Sequence, residues 1–248
     1  MPRKSTDPET GLTIRQRNLL FAVVKEYCEF GQTVSSHDLK AKYGFDISSA
    51  TIRNEFINLR DLEYLYQPFT NSSSQPTEKA FKLFINQLIT GLQVNNKQQQ
   101  DLRKQINILE SKHTNLQREI SRLLALETES VGFAVNMNEE SIAGIKNLLT
   151  EPKTEQVADI LDFLENLDQH KNHLLQHKDS IENQTSNALS TIFAGDNPVL
   201  PLGRGWAMVA ASARINNQDT VFGVITKPHL LGRQKTLEVI KALKAVLK

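Results

Sequence analysis

The sequence predicts an α+β fold that is mainly helical, because helical periodicity covers more of it than strand-like alternation does. Three observations support this prediction. Capped amphipathic patterns follow one another in residues 12–92, a heptad-spaced apolar stripe runs through residues 93–130, and strand patterns are mixed with helices in residues 131–248. We therefore expect three parts with these bounds: a helical N-terminal domain, a coiled-coil-like amphipathic helix and a small C-terminal α/β domain.

The first two helices are marked by the residues at their ends. Thr13 and Gln16 have capping-box spacing, and Gly31 stands where the helix that they open would stop. Ser35 then begins a second, short helix, and Gly44 breaks it. The next helical pattern follows within a few residues, which is typical of a helix-turn-helix connection.

The third helix has two different sides. Ile52, Phe56 and Leu59 recur at helical spacing, continued by Leu62 and Leu65, and they predict an apolar side. The opposite side holds short polar residues and two arginines, namely Ser49, Thr51, Arg53, Asn54, Asn58 and Arg60. Helix-turn-helix proteins place such a helix in the DNA major groove, although a polar helix face can also be simply solvated.

The segment after Leu65 has two interpretations of equal weight. Residues 66–68 look extended and a polar loop precedes Pro76, which fits a β-wing that could meet phosphate or the minor groove. The other interpretation is a flexible loop between helices. A further amphipathic helix follows, with one face formed by Phe81, Phe84, Ile85, Leu88 and Ile89.

An apolar stripe predicts a dimerisation helix. Its members alternate steps of four and three, and they are Leu102, Ile106, Leu109, His113, Leu116, Ile120 and Leu123. Isoleucine at a positions with leucine at d positions favours a parallel two-stranded coiled coil, whose a row His113 interrupts. Because the repeat covers only about three heptads, an amphipathic helix packed within the chain explains it equally well.

The C-terminal part alternates strand and helix patterns. We expect a buried strand over residues 131–135, helices over residues 139–149 and 154–180, and a hairpin over residues 206–225. A closing helix carries Leu237, Ile240, Leu243 and Leu247 on one face.

Composition restricts the compartment and the partners. The net charge is +1, but residues 91–200 carry −6 and residues 201–248 carry +6. Mutual packing and a free basic tail for nucleic acid both explain this. One cysteine, no leader pattern and no membrane-length apolar run predict a cytoplasmic protein without a membrane partner. Residues 1–11, polar and aperiodic, are expected to be a disordered arm.

We find no pattern that predicts catalysis, a metal site or a cofactor. His170, His173 and His177 share a helical face, but neither a cysteine nor a catalytic glutamate motif accompanies them, so a solvated face is the better interpretation. No Gly-rich phosphate loop follows a strand, and no nucleophile–base arrangement stands out. We therefore expect a protein that is not an enzyme.

Motifs in residues 12–90 point to a family. They include Leu12-Thr13-Ile14-Arg15-Gln16-Arg17, Tyr43-Gly44, Gln67-Pro68 and above all Ser48-Ser49-Ala50-Thr51-Ile52-Arg53-Asn54. This segment resembles the winged-helix domain of the heat-inducible transcription repressor HrcA family. Residues 131–135 and 222–225 resemble parts of that family's GAF-like domain.

The resemblance implies a homodimer that binds an inverted-repeat operator upstream of chaperone genes. It also implies that repression is lost on heat stress and supported by the chaperonin. Two departures stand out, because Ser73-Ser74-Gln75-Pro76 replaces the family's Gly-Arg-Ile-Pro wing, and the domain is shortened between Val135 and Ile142. We therefore expect a reduced GAF-like domain and a wing that lacks its arginine.

These observations together predict a dimeric, sequence-specific DNA-binding repressor. The residues expected at the DNA are Ser35, Ser36, Ser48, Ser49, Ala50, Thr51, Arg53, Asn54, Asn58 and Gln75. Two alternatives remain open. One is a winged-helix regulator of another regulon that senses a small ligand, and the other is a coiled-coil adaptor that does not bind DNA.

Overall fold

A computed structural model describes residues 6–69, 72–93, 95–111, 115–150, 157–176, 189–193, 202 and 205–247 of the chain. It divides into two compact units, residues 1–85 and residues 86–248. The mainly helical α+β class is confirmed, since helices form most of both units and strands form one hairpin and one larger sheet within the described residues.

The first unit begins with the capped helices that the sequence predicts. They are α1 (Ile14–Phe30), α2 (Ser36–Tyr43) and α3 (Ser49–Asp61), followed by α4 (Glu78–Gly91), which extends past the end of the unit. Thr13 and Gln16 form the predicted capping box on α1. Gly31 and Gly44 end α1 and α2 in the left-handed conformation, with φ of 65° and 61°, which glycine adopts without a steric penalty.

The apolar sides of these helices form the core of the first unit. Ile52, Phe56 and Leu59 of α3 are buried, and so are the apolar residues of α1, which include Leu19, Leu20, Val23 and Val24. The prediction is wrong for Leu62, which is 36% exposed. The helix ends at Asp61, and Glu63 turns the chain with a positive φ, so that Leu65 enters the core from a strand rather than from α3.

A hairpin follows α3. Its strands are β1 (Leu65–Tyr66) and β2 (Gln75–Pro76), which pair antiparallel with Tyr66 opposite Gln75. Of the two interpretations of this segment, the structure therefore shows the hairpin rather than an unpaired loop between helices. Three helices followed by a hairpin is the element order that the predicted winged helix-turn-helix requires.

The predicted disordered arm is wrong for residues 6–11. Thr6 forms an isolated bridge with Thr13, and the Arg17 guanidinium lies 3.2 Å from the Asp7 carboxylate. Leu12, directly after this segment, is buried. The segment is thus folded against the start of α1, and residues 1–5 lie outside the described residues.

The second unit is built on an antiparallel sheet, five-stranded in the described part of the chain. Its strands are β3 (Val131–Val135), β4 (Glu140–Ala143), β5 (Ser190–Phe193), β6 (Ala207–Ile215) and β7 (Gln218–Thr226), in the spatial order β4-β3-β7-β6-β5. Asn216 and Asn217 form the two-residue turn of the predicted hairpin, both with positive φ. Residues of this sheet and of the helices on it form a continuous core.

Helices pack on this sheet and on one another. They are α5 (Asn96–Ser111), α6 (Leu116–Thr128), α7 (Val157–Glu165), α8 (Leu167–Gln176), the short α9 (Pro228–Leu231) and α10 (Gln234–Val246). A Cβ atom at Gly132 would clash with the Ser121 carbonyl oxygen, so glycine is needed where β3 passes against α6. Within the described residues, no helix is both long and apolar enough to cross a membrane.

Two predictions of secondary structure in this unit are wrong. The helix expected over residues 139–149 is the strand β4 followed by a 3₁₀ helix, Ile145–Thr150, because β4 pairs with β3 along its length. The long helix expected from residue 154 is two helices, α7 and α8, with Asn166 between them. Residues 154–156 and 177–180 lie outside the described residues. No sequence pattern indicates the strand β5.

The prediction of one continuous coiled-coil helix is also wrong. The segment is divided into α5 and α6, and Asn115 caps α6 by accepting a hydrogen bond from the Arg118 amide at 2.9 Å. Within this chain Leu102, Ile106, Leu116 and Ile120 are buried, while Leu109 and Leu123 are partly exposed and His113 lies outside the described residues. The stripe therefore serves mainly as core, which was the alternative interpretation.

The oppositely charged segments pack together, as one of the two interpretations of the charge distribution expected. Lys235 lies 3.2 Å from the Glu127 carboxylate, and Arg233 lies 3.6 Å from that of Glu129. These pairs join the start of α10 to the end of α6. Because α5 and α6 belong to the same compact unit as the sheet, the predicted boundary at residue 130 does not separate two folded bodies.

Candidate nucleic-acid interface

The start of α3 is fixed by a serine cap. The Ser48 Oγ accepts a hydrogen bond from the Thr51 amide at 3.0 Å and lies 2.9 Å from the Thr51 Oγ1. Such a cap stabilises a helix by about 1 kcal/mol relative to alanine and also defines its first residue. The cap therefore sets the start of α3, so that Ser49, Ala50 and Thr51 form its first turn.

The outer side of α3 presents the predicted polar residues to solvent. Ser48, Ala50, Arg53, Asn54 and Asn58 are exposed, whereas Ser49 and Thr51 are half-buried. Within the described residues, no ion pair holds the Arg53 guanidinium. Arg53 and Asn54 are thus available side by side on the surface of the helix.

The acidic residue in the middle of α3 faces inward. Glu55 is buried, 4.0 Å from the Arg15 guanidinium, and its Oε2 accepts a hydrogen bond from the Asn58 side chain at 3.3 Å. This orientation keeps a carboxylate off the exposed face between Arg53 and Asn58. An anionic ligand such as a phosphate backbone would otherwise be repelled there.

The helix α2 is held against α1 by a polar network that no local sequence pattern indicates. The Glu26 carboxylate is buried, where it meets the Lys42 Nζ at 2.7 Å and accepts a hydrogen bond from the Tyr43 hydroxyl at 2.8 Å. Burial, and then the neighbouring carboxylate, raise the pKa of Tyr43, so its hydroxyl stays protonated and continues to donate. The residues lie 16 and 17 positions apart, a separation without a local sequence signal.

Ser35 serves chiefly to cap α2. Its Oγ accepts a hydrogen bond from the Asp38 amide at 3.2 Å and donates one to the Asp38 carboxylate at 2.6 Å. This hydrogen bond lowers the pKa of the Asp38 carboxyl group. Ser36, the first residue of α2, is half-buried. The hydroxyl of Ser35 would have to exchange these partners to contact a ligand, which makes it a weaker candidate than Arg53.

The hairpin is tied to the last turn of α3. The Arg60 guanidinium donates a hydrogen bond to the Ser74 Oγ at 3.1 Å, and Ser74 is buried. Across the hairpin, the Tyr66 hydroxyl donates to the side-chain oxygen of Gln75. Helical spacing places Arg60 on the polar side of α3, but it gives no signal for a contact with a residue 14 positions later.

The predicted DNA-binding residues are thus distributed over α2, α3 and the hairpin of the first unit. Those from Ser48 to Asn58 lie on one helix, Ser35 and Ser36 lie at the start of α2, and Gln75 lies on β2. Their contacts with DNA stay predictions.

In the part of the chain that the structure describes, no group of three or more histidine, cysteine, aspartate or glutamate side chains could hold a metal ion. His170 is stacked on Phe163 with ring centroids 5.0 Å apart, and His177 lies outside the described residues.

Comparison with known proteins identifies relatives of the chain. A family model described as "HrcA protein C terminal domain" matches residues 48–227. The chain is 36% identical over 114 residues to the heat-inducible transcription repressor HrcA of Sorangium cellulosum, over 46% of this chain and 33% of that protein. It is 31% identical over 137 residues to the protein of the same name from Clostridioides difficile, over 55% of this chain and 40% of that protein.

The matched segments therefore span well under half the length of these curated relatives. Among solved structures, a crystal structure of a hypothetical protein matches with a TM-score of 0.67 at 14% identity, over 95% of this chain and 98% of that one. This likeness shows a shared fold.

The hydrogen bond between Arg60 and Ser74 should stabilise the hairpin against local opening. We expect Arg60→Ala and Ser74→Ala to lower the opening free energy of the Thr77 amide, which bonds the Tyr64 carbonyl beside the hairpin. In a double-mutant cycle measured by hydrogen exchange, the two changes should couple by about 0.5–1.5 kcal/mol. Strictly additive effects would show that the two side chains do not hold the hairpin together.

Proposed function

Because this chain belongs to the HrcA family, we propose that it is a transcriptional repressor that binds duplex DNA through the outer side of α3. The observation that carries this proposal is the exposure of Arg53 and Asn54 on a capped helix whose carboxylate, Glu55, is turned into the core. The relatives' name, heat-inducible transcription repressor, supports the same function.

The side chains on α3 are chemically suited to bases. Arginine binds the O6 and N7 of guanine with two hydrogen bonds, and asparagine binds the N6 and N7 of adenine in the same way. Arg53 and Asn54 are therefore our candidates for reading sequence. Ser48, Ser49, Ala50, Thr51 and Asn58 would contact nearby bases or phosphates, and Ser35, Ser36 and Gln75 would position the unit on the backbone.

We further propose a homodimer that binds an inverted repeat. A twofold dimer presents two recognition helices to half-sites about 34–36 Å apart, or a multiple of that distance, which requires a palindromic operator. The regulated genes would be heat-inducible ones, as the relatives' name suggests. The resemblance of residues 12–90 implies that these are chaperone genes, with the chaperonin as a further partner of repression.

The dimer surface is proposed on the open side of α5 and α6. Leu109 and Leu123, the partly exposed members of the apolar stripe, line a groove of about 950 Å³ together with Ile108 and Leu126. Leu126 is 79% exposed. Glu119, Glu127 and Glu129 also line the groove, but each is already paired within the chain, with Arg122, Lys235 and Arg233 respectively. The apolar side chains would therefore supply most of the contact with a second copy related by a twofold axis.

We expect Arg53→Ala to weaken binding to the preferred duplex by about 1–3 kcal/mol and to relax the preference at one base pair. The matched control is Arg103→Ala, which removes an exposed arginine from α5 and should leave affinity unchanged. Both variants are measured by titration and footprinting on the inverted repeat that the wild type selects from random duplexes. If Arg53→Ala shows the wild-type footprint and affinity, Arg53 does not read the base sequence.

We expect Leu126→Glu to dissociate the dimer, because the substitution places a charge on the proposed apolar surface. The dimer dissociation constant should rise at least about tenfold, the equivalent of losing one buried leucine. Met137→Glu is the control, since Met137 is 62% exposed in the same unit but does not line the groove. Sedimentation equilibrium that gives the same dimer for Leu126→Glu as for the wild type would exclude this surface.

A further inference from the structure

The hairpin after α3 carries no charge. From Tyr64 to Thr77 the sequence contains no lysine, arginine, histidine, aspartate or glutamate. It therefore cannot form ion pairs with DNA phosphates, as a wing that carries an arginine can. Any affinity that this hairpin contributes must come from hydrogen bonds or from apolar contact.

The segment between the two strands nevertheless exposes a large aromatic side chain. Phe69 is 78% exposed, and Tyr66 on β1 is 46% exposed. A phenylalanine that stays in water contributes no hydrophobic stabilisation to the fold. Exposed apolar side chains of this size at the end of a hairpin are suited to contact with another molecule.

The backbone at Phe69 is fixed by hydrogen bonds. The Phe69 carbonyl accepts from the Ser72 amide at 3.0 Å and from the Ser72 Oγ at 2.8 Å, and the Phe69 amide donates to the same Oγ at 3.2 Å. The Gln67 side chain donates to the Ser72 carbonyl at 2.6 Å. The exposed ring is thus attached to a held backbone, which reduces the entropy lost when it binds.

We propose that Phe69 enters the minor groove of duplex DNA as an apolar wedge between base pairs, beside the major groove that α3 occupies. Apolar side chains of minor-groove proteins partly unstack a base step in this way and bend the duplex. The inference rests on the proposed DNA binding by α3. It adds a second contact, one that replaces the ionic interaction of a basic wing.

An apolar wedge and an arginine contact should differ in how DNA affinity depends on salt concentration. A contact with phosphates weakens as salt rises, because the duplex releases counterions when a cation binds. Insertion of Phe69 leaves the number of neutralised phosphates unchanged. Loss of the ring should therefore lower affinity and bending while the dependence of affinity on salt concentration stays the same.

The test uses the full chain and end-labelled duplexes that carry the inverted repeat selected by the wild type. Phe69→Ala should weaken binding about tenfold, within the range seen when one base–aromatic contact is lost. It should also reduce the bend measured by energy transfer between the duplex ends, at an unchanged salt slope. Phe69→Leu should retain most of the bend, because leucine can also act as a wedge.

Ile14→Ala is the control, since Ile14 is a 73% exposed apolar residue of the same unit that lies on α1 rather than on the hairpin. It should bind and bend DNA like the wild type. Thermal unfolding of each variant checks that the fold is retained.

Three results would overturn the proposal. If the wild type binds its selected duplex but Phe69→Ala binds and bends it equally, the wedge is wrong and DNA binding by α3 stands. If affinity is unchanged while the dimer weakens in sedimentation, Phe69 contacts protein rather than DNA. If the wild type binds no duplex at all, the wedge and the proposed function fail together.

Discussion

The proposed activity depends on the rotation of α3 about its own axis. Ile52, Phe56 and Leu59 are buried on one side, and the Ser48 cap sets the first turn. Successive residues of a helix are about 100° apart, so if each residue moved to the position before it, Arg53 would take the buried position of Ile52. Burying an unpaired charge costs several kcal/mol, which makes the observed rotation strongly preferred. The packing of the inner side thereby determines which side chains face outward.

Local signals predicted the first unit well. The caps at Thr13 and Ser35 depend on residues three positions away, so they can be read from the sequence, and the starts of α1 and α2 follow from them. The hairpin could not be decided in the same way, because its strands are two residues long. Contacts distant in sequence hold it, among them that of Arg60 with Ser74. The contacts of Glu26 with Lys42 and Tyr43 of α2 are likewise distant in sequence, so no local pattern predicts them.

In the second unit, the spacing of apolar residues predicts a buried side but not the element that this side packs against. Heptad spacing in residues 102–123 predicted correctly that one side of the helical segment is apolar, but it does not specify the partner of that side. In the structure, Leu116 and Ile120 are buried inside their own unit, where α6 lies against β3 and β4. The helix predicted over residues 139–149 is wrong where β4 pairs with β3, because a strand of four residues is too short to show a reliable alternating pattern. The DNA contacts concern a second molecule, so neither the sequence pattern nor the fold alone determines them.

The most direct test of DNA reading by α3 is amide hydrogen exchange of the wild-type chain, with and without the duplex that it selects. We predict new protection in residues 48–58, strongest at the capped start of α3, with weaker protection at the hairpin. Residues 201–248, which carry a net charge of +6, should exchange at an unchanged rate. Protection confined to residues 201–248, with α3 unaffected, would contradict the account, since it would assign the bound DNA to the basic C-terminal segment.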